Sequence, residues 1–128
     1  FILYTYSAFM NIVSNLLRVT FFFYLFYIYY GYVRQPPDGS YVQKAADVIT
    51  DNSIHFISFF ILGALAQLAN NKSNDFIFGV SIALITSVFI EFVHFFLPYR
   101  SFDVLEGIFN ILGCISAIYL IDYLRKRQ

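Results

Sequence analysis

Four long apolar runs, separated by short polar breaks, limit this chain more than anything else in it. They cover roughly residues 16–33, 54–69, 76–97 and 104–124. Each approaches the ~20 residues that cross the hydrocarbon core of a bilayer, the second being the shortest. Inside hydrocarbon every backbone N–H and C=O must pair within the protein, so each run has to be helical. The stretch "VTFFFYLFYIYY" (Val19–Tyr30) is rich in β-branched and aromatic residues and would suggest a strand in water. A lipid solvent overrides that propensity. The expected fold is all-α: an integral membrane bundle of four transmembrane helices, forming a single domain over residues 1–128.

Composition agrees with that solvent. The chain is 59% hydrophobic and 22% aromatic, and only 12% of its residues are charged, about half of what a soluble domain needs. Its mean hydropathy is +0.67. Phe and Tyr without Trp suit lipid-facing helices with Tyr toward the interfaces. Eight basic residues balance eight acidic ones, which leaves no electrostatic footprint for nucleic acid. The lone Cys114 lies in an apolar run, so there is no disulfide framework, and it reads as a small packing residue. No signal-peptide pattern with a small-residue cleavage site is present. A first residue Phe1 rather than Met suits a processed or partial product.

The polar residues punctuate the runs. "RQPPDGSY" (Arg34–Tyr41) cannot continue a helix, because adjacent prolines remove donors and clash with the preceding turn. "NNKSND" (Asn70–Asp75) is a short polar loop, and "LPYRSFD" (Leu97–Asp103) ends the third helix at Pro98 and opens the fourth at Asp103. Ahead of Arg18, "FILYTYSAFMNIVSNLL" is apolar but dotted with Thr5, Ser7, Asn11, Ser14 and Asn15. It is expected to extend the first helix at the cytoplasmic side, the alternatives being an interfacial helix or the remnant of another span.

Charge sets the expected orientation. With both termini cytoplasmic, that side holds Arg18, Lys72, Arg125, Lys126 and Arg127, and the opposite side holds Arg34, Lys44 and Arg100. This is a modest positive-inside bias, strengthened by the compact "RKR" near the end. Antiparallel packing then gives the scattered polar residues one depth. His55 opens the second helix, Glu91 and His94 close the third, and Glu106 and Asn110 open the fourth.

Each of these side chains admits a structural and a chemical reading. Glu91 and His94, three apart, share a helical face with Ser87 one turn earlier. A carboxylate about two turns inside Leu97 is costly unless partnered or protonated, so it either ties helices together or handles a proton or ligand. Glu106 and Asn110 share a stripe with Gly113 and Ala117, small residues that let helices approach closely. Asp103 with Glu106 has capping-box spacing, and Asp51, just ahead of the second run, reads as a helix-start residue. Arg100 lies between two acid-bearing helices. It can clamp one of their carboxylates or hold the phosphate or carboxylate of a ligand.

His55, Glu91 and His94 form the one conceivable metal set, since Glu-x-x-His is the spacing used in carboxylate-bridged metal bundles. Those bundles need two such motifs and two further Glu, and this chain has one motif. There is also no His-Glu-x-x-His helix, no Cys pair, no Gly-rich phosphate loop and no Ser-His-Asp set. No metal or other cofactor is expected.

Together these positions resemble the VanZ-like membrane family, named for a teicoplanin-resistance protein. The resemblance is strongest over residues 51–124. "DNSIHFISFFILGAL" looks like the family's Asp-Lys-x-x-His-Phe opening through Asp51, His55, Phe56 and Gly63. "IEFVHFFLPYRSFDVLEGIFNILG" looks like its Glu-x-x-Gln-x-x-x-Pro-x-Arg-x-x-Asp-x-x-Asp-x-x-x-Asn-x-x-Gly block through Glu91, Pro98, Arg100, Asp103, Asn110 and Gly113. Asn52 departs from the usual Lys, His94 from Gln and Glu106 from Asp. Gln at the His94 position of relatives argues against metal ligation as their shared function, while hydrogen bonding survives all three exchanges.

The resemblance implies a multi-pass protein of the bacterial cytoplasmic membrane, tied to glycopeptide resistance or cell-envelope polysaccharide. The expected activity is binding of a lipid-linked saccharide or glycopeptide by His55, Glu91, His94, Arg100, Glu106 and Asn110, with membrane lipid as the surrounding partner. One alternative is an enzyme on a lipid-linked envelope substrate, with Glu91 or His94 as general acid/base. The other is a structural subunit whose aromatic first helix meets protein partners in the membrane.

Overall fold

The computed structural model describes residues 2–34, 44–69 and 76–127. These form four α-helices and, among the described residues, no strand: α1 (Ile2–Val33), α2 (Lys44–Ala69), α3 (Phe76–His94) and α4 (Val104–Arg125). The loops expected at 34–41 and 70–75 lie, apart from Arg34, outside the described residues, as does Lys72. The N-terminal segment is continuous with the first run, so α1 is a single helix of 32 residues. At 1.5 Å per residue it is ~48 Å long and overreaches a hydrocarbon core of ~30 Å.

Three helices contain stretches long and apolar enough to cross a membrane: Ala8–Val33, Asp51–Ala69 and Val104–Arg125. α3 offers the shorter Phe78–His94. It stops ahead of the expected residue 97 because its last turn tightens. Phe96 and Leu97 donate to the carbonyls three residues back, Val93 and His94, and Pro98 then has no N–H to give.

The outward faces explain the composition. Phe23, Phe26, Phe95 and Tyr119 are each more than 70% exposed, and large apolar side chains line every helix. Such a continuous apolar surface is unstable against water and matches acyl chains. The buried core is a thin seam, with Phe21 and Ile28 from α1, Phe59, Leu62 and Ala66 from α2, Ala83 and Ile90 from α3, and Cys114 and Ile118 from α4.

α2 and α4 make the most extensive contact in the molecule, and they run in the same direction, His55 meeting Asn110 and Gly63 meeting Cys114. Glycine makes this approach feasible. A Cβ added at Gly63 would lie 2.6 Å from the Cys114 carbonyl oxygen, and one at Gly113 would overlap the Phe56 carbonyl. Gly113 and the fully buried Ala117 thus serve close helix packing, as does Cys114. α1 rests on α2 and α3, and α3 fills the space beside α4.

At one end of the bundle the Ser14 hydroxyl and the Arg18 guanidinium (Nε) both donate to the carbonyl of Ala69, the last residue of α2, at 3.5 and 3.4 Å. A cation there complements the negative end of the helix dipole. Arg125, the last residue of α4, and Lys126 and Arg127 just after it stand at the same end. At the opposite end α1 and α3 finish and α4 begins, with the Tyr99 hydroxyl donating to the Val33 carbonyl at 3.0 Å. Asp51, His55, Glu91, His94, Arg100 and Glu106 gather on this second side.

Candidate functional site

Helix geometry brings the polar residues of α2, α3 and α4 to one layer. Asp103 is the N-cap of α4: its carboxylate accepts from the Leu105 N–H at 2.7 Å. The return bond of a capping box would come from Glu106. Here the Asp103 N–H instead donates to Glu91 Oε2 at 3.2 Å, across from α3. Glu106 is thereby free to face α2, and its Oε2 lies 3.3 Å from His55 Nε2.

Asp51 needs correcting. α2 begins at Lys44 rather than near Ile54, so Asp51 stands two turns inside the helix and is no cap. One turn before His55 on the same face, it lies with His55 and Glu106 in a group whose ligand atoms are all within 4.8 Å of one another. Glu91, His94 and Glu106 make a second such group. Glu106 belongs to both.

Hydrogen bonds fix the imidazoles. The Ser87 hydroxyl donates to the Gly107 carbonyl at 3.3 Å, and its oxygen accepts from Asn110 Nδ2 at 3.3 Å. That orients the amide so that Asn110 Oδ1 accepts from His55 Nδ1–H at 2.9 Å. His94 Nε2 donates to the Tyr32 carbonyl at 2.9 Å, one of the last-turn carbonyls that α1 leaves free. His94 Nδ1 faces Glu91 Oε2 at 3.7 Å. His55, His94, Asn110 and Ser87 are essentially inaccessible, and Glu91 is 5% exposed.

Several buried polar atoms have no hydrogen-bond partner: Tyr32 Oη, Glu91 Oε1, His94 Nδ1 and Arg100 Nε. Among the described residues Arg100 makes no ion pair, although both flanking helices carry acids. Its guanidinium instead lines a pocket of about 210 Å³ with Asp51, His55, Ser58, Tyr27 and Tyr32. The Tyr32 ring sits 4.5 Å from the His55 ring. On the α3–α4 side a larger groove of about 650 Å³ runs over Val88, Phe92, Phe95 and Ile108, and Ser87 and Glu91 are the polar residues in its lining.

All six side chains expected at the site, His55, Glu91, His94, Arg100, Glu106 and Asn110, therefore stand in or beside this layer. Asp51, Tyr32 and Ser87 join them. The Asp51–His55 spacing of four was the signal for Asp51, masked by its position ahead of the apolar run.

A buried layer of acids and imidazoles, held by four lipid-facing helices, defines the kind of molecule, and comparison gives its family. The chain belongs to the VanZ/LLP1 family, whose model matches residues 2–125, well beyond the 51–124 of the sequence resemblance. It is 34% identical over 84 residues to an uncharacterized protein of Schizosaccharomyces pombe, C11E3.10. The match covers 62% of this chain and 51% of that protein, so the chain spans about half the length of the curated relative it matches. No solved structure matches. With a relative in a yeast, family membership does not carry a bacterial origin or teicoplanin resistance with it.

Proposed function

We propose that this chain holds the anionic head of a lipid-linked saccharide beside Arg100 in the polar layer of its bundle while the lipid tail stays in the surrounding bilayer. One observation carries this: Arg100 Nε is buried without an acceptor in a pocket that opens beside Asp51 and His55. An unsatisfied charged donor in such a place costs several kcal/mol by the usual scale of buried polar groups, and a phosphate oxygen would meet it. The 210 Å³ pocket suits a phosphate and part of a sugar, and is below the ~300–1,000 Å³ of sites that enclose a drug-sized ligand. A whole glycopeptide is a poor occupant.

Orientation belongs to the same proposal. Arg18, Arg125, Lys126 and Arg127 gather at one end, which the positive-inside bias assigns to the cytoplasm. The head-group layer then faces the opposite side. In a bacterium this would be the outer face of the cytoplasmic membrane.

The test is binding of a polyprenyl-phosphate-linked monosaccharide to the full chain in nanodiscs, against the same polyprenol without phosphate. Preference for the phosphorylated lipid, lost tenfold or more in a folded Arg100→Ala variant, is the expected result. Equal binding of both lipids, or no loss in the variant, overturns the head-group reading.

Hydrolysis is a second reading, favoured by Glu91 Oε1 and His94 Nδ1 being buried without hydrogen-bond partners. Water oxygen would bond to phosphorus as the phosphorus–oxygen bond to the leaving group breaks. The water proton would pass to Glu91 or His94, and the leaving oxygen would be protonated in turn. Glu91→Gln separates the two readings: turnover stops while binding persists if Glu91 moves a proton.

A further inference from the structure

We propose that the layer is a divalent-cation site centred on Glu106, with Asp51 and His55 on one side of it and Glu91 and His94 on the other. A metal–ligand distance of ~2.0–2.2 Å puts opposite donors at most ~4.4 Å apart, and both three-residue groups already lie within 4.8 Å. The sequence pattern displays three of the ligands, His55, Glu91 and His94. Asp51, displaced from its capping role, and Glu106, released from its own, make five.

The imidazoles carry the inference. His55 gives its Nδ1 proton to Asn110, so its Nε2 lone pair points toward Glu106 Oε2 at 3.3 Å. His94 gives its Nε2 proton to the Tyr32 carbonyl, so in the neutral ring its Nδ1 lone pair points toward Glu91 Oε2 at 3.7 Å, beyond ordinary hydrogen-bond length. With both imidazoles neutral, an acceptor faces an acceptor at each place, which is repulsive unless a proton or a cation stands between them. The outward N–H of each ring is anchored on a carbonyl oxygen, as in metal-ligating histidines, where that bond fixes tautomer and ring orientation.

Charge balance points the same way. Three carboxylates against the Arg100 guanidinium leave two negative charges in a layer where Glu91 is buried and Asp51 and Glu106 are half-buried. Two protons would answer the imidazoles one at a time, whereas one divalent ion answers both groups through their shared carboxylate. Two imidazoles with three carboxylates favour a first-row transition ion over magnesium or calcium, which prefer all-oxygen cages.

The site rests on the head-group reading only for its use, since an ion beside Arg100 would meet the same phosphate. The experiment is titration of the chelator-stripped full chain in detergent with Mn²⁺ and with Co²⁺, without lipid, following Mn²⁺ resonance and Co²⁺ visible absorption. Saturable binding of one or two equivalents is expected. Glu106→Gln and His94→Gln should each weaken it tenfold or more, and Asn110→Ala 10–100-fold through lost His55 orientation. Asp122→Asn, at the far end of α4, should leave it unchanged.

No saturable binding by folded wild-type protein overturns the site, as does binding that survives Glu106→Gln combined with His94→Gln. Lipid binding is measured separately with chelator present. Lipid retained without ion binding removes the cation alone, and ion binding without phosphate preference removes the head-group reading alone.

Discussion

His55 and Asn110 join α2 to α4 through a 2.9 Å hydrogen bond from Nδ1 to Oδ1, buried between the helices toward one end of the bundle. Both side chains are fully buried, and Asn110 in turn holds Ser87 of α3, so one amide ties three helices together. Asn110→Leu should leave the His55 N–H without an acceptor and cost ~1–3 kcal/mol. Asn110→Asp keeps an acceptor toward His55 and should lose less. Thermal unfolding in detergent, followed by circular dichroism, ranks the two variants.

The glycines make a second comparison. Gly63→Ala places a methyl against the Cys114 backbone and should cost ~1–3 kcal/mol, the usual scale of overpacking. Gly113→Ala, aimed at the Phe56 carbonyl, should be at least as damaging. At Gly31 nothing lies within 4 Å of an added Cβ, so Gly31→Ala should be neutral or stabilising by up to ~1 kcal/mol. Equal melting temperatures for all three variants would contradict the close α2–α4 approach.

Asp103 caps α4 from an exposed position. Asp103→Ala should destabilise by ~0.5–2 kcal/mol, and Asp103→Ser should recover most of it, because a hydroxyl can still accept from the first-turn N–H groups. Denaturation of both variants checks the pair.

Lipid contact can be read from single cysteines. In a Cys114→Ala background, Phe23→Cys should resist a water-soluble maleimide in liposomes and react with a membrane-permeant one. Arg127→Cys, in the exposed turn after α4, should react with both. Water-soluble labelling of Phe23→Cys would place that face of α1 in water.

The helices were legible because hydrocarbon tolerates no other backbone, and the common layer was legible because chain direction reverses between runs. Hydropathy, however, marks where a helix enters lipid rather than where it starts. "KAADVITDNS" is polar enough to look like a loop and helical enough to extend α2 to Lys44, which moved Asp51 from cap to interior. The capping box failed for a related reason: Glu91, from another helix, took the Asp103 N–H that local spacing assigned to Glu106. The anchor of His94 is a backbone carbonyl of Tyr32, a group that no side-chain pattern displays.

Glycine contact holds the α2 and α4 backbones tightly together, whereas among the described residues the α1 backbone makes no close approach to that of α4. Motion concentrates where packing is weakest. The wall that Tyr27, Gly31 and Tyr32 give to the smaller pocket belongs to α1, so a swing of that one helix would unlatch the chamber sideways into the bilayer while its floor kept its shape.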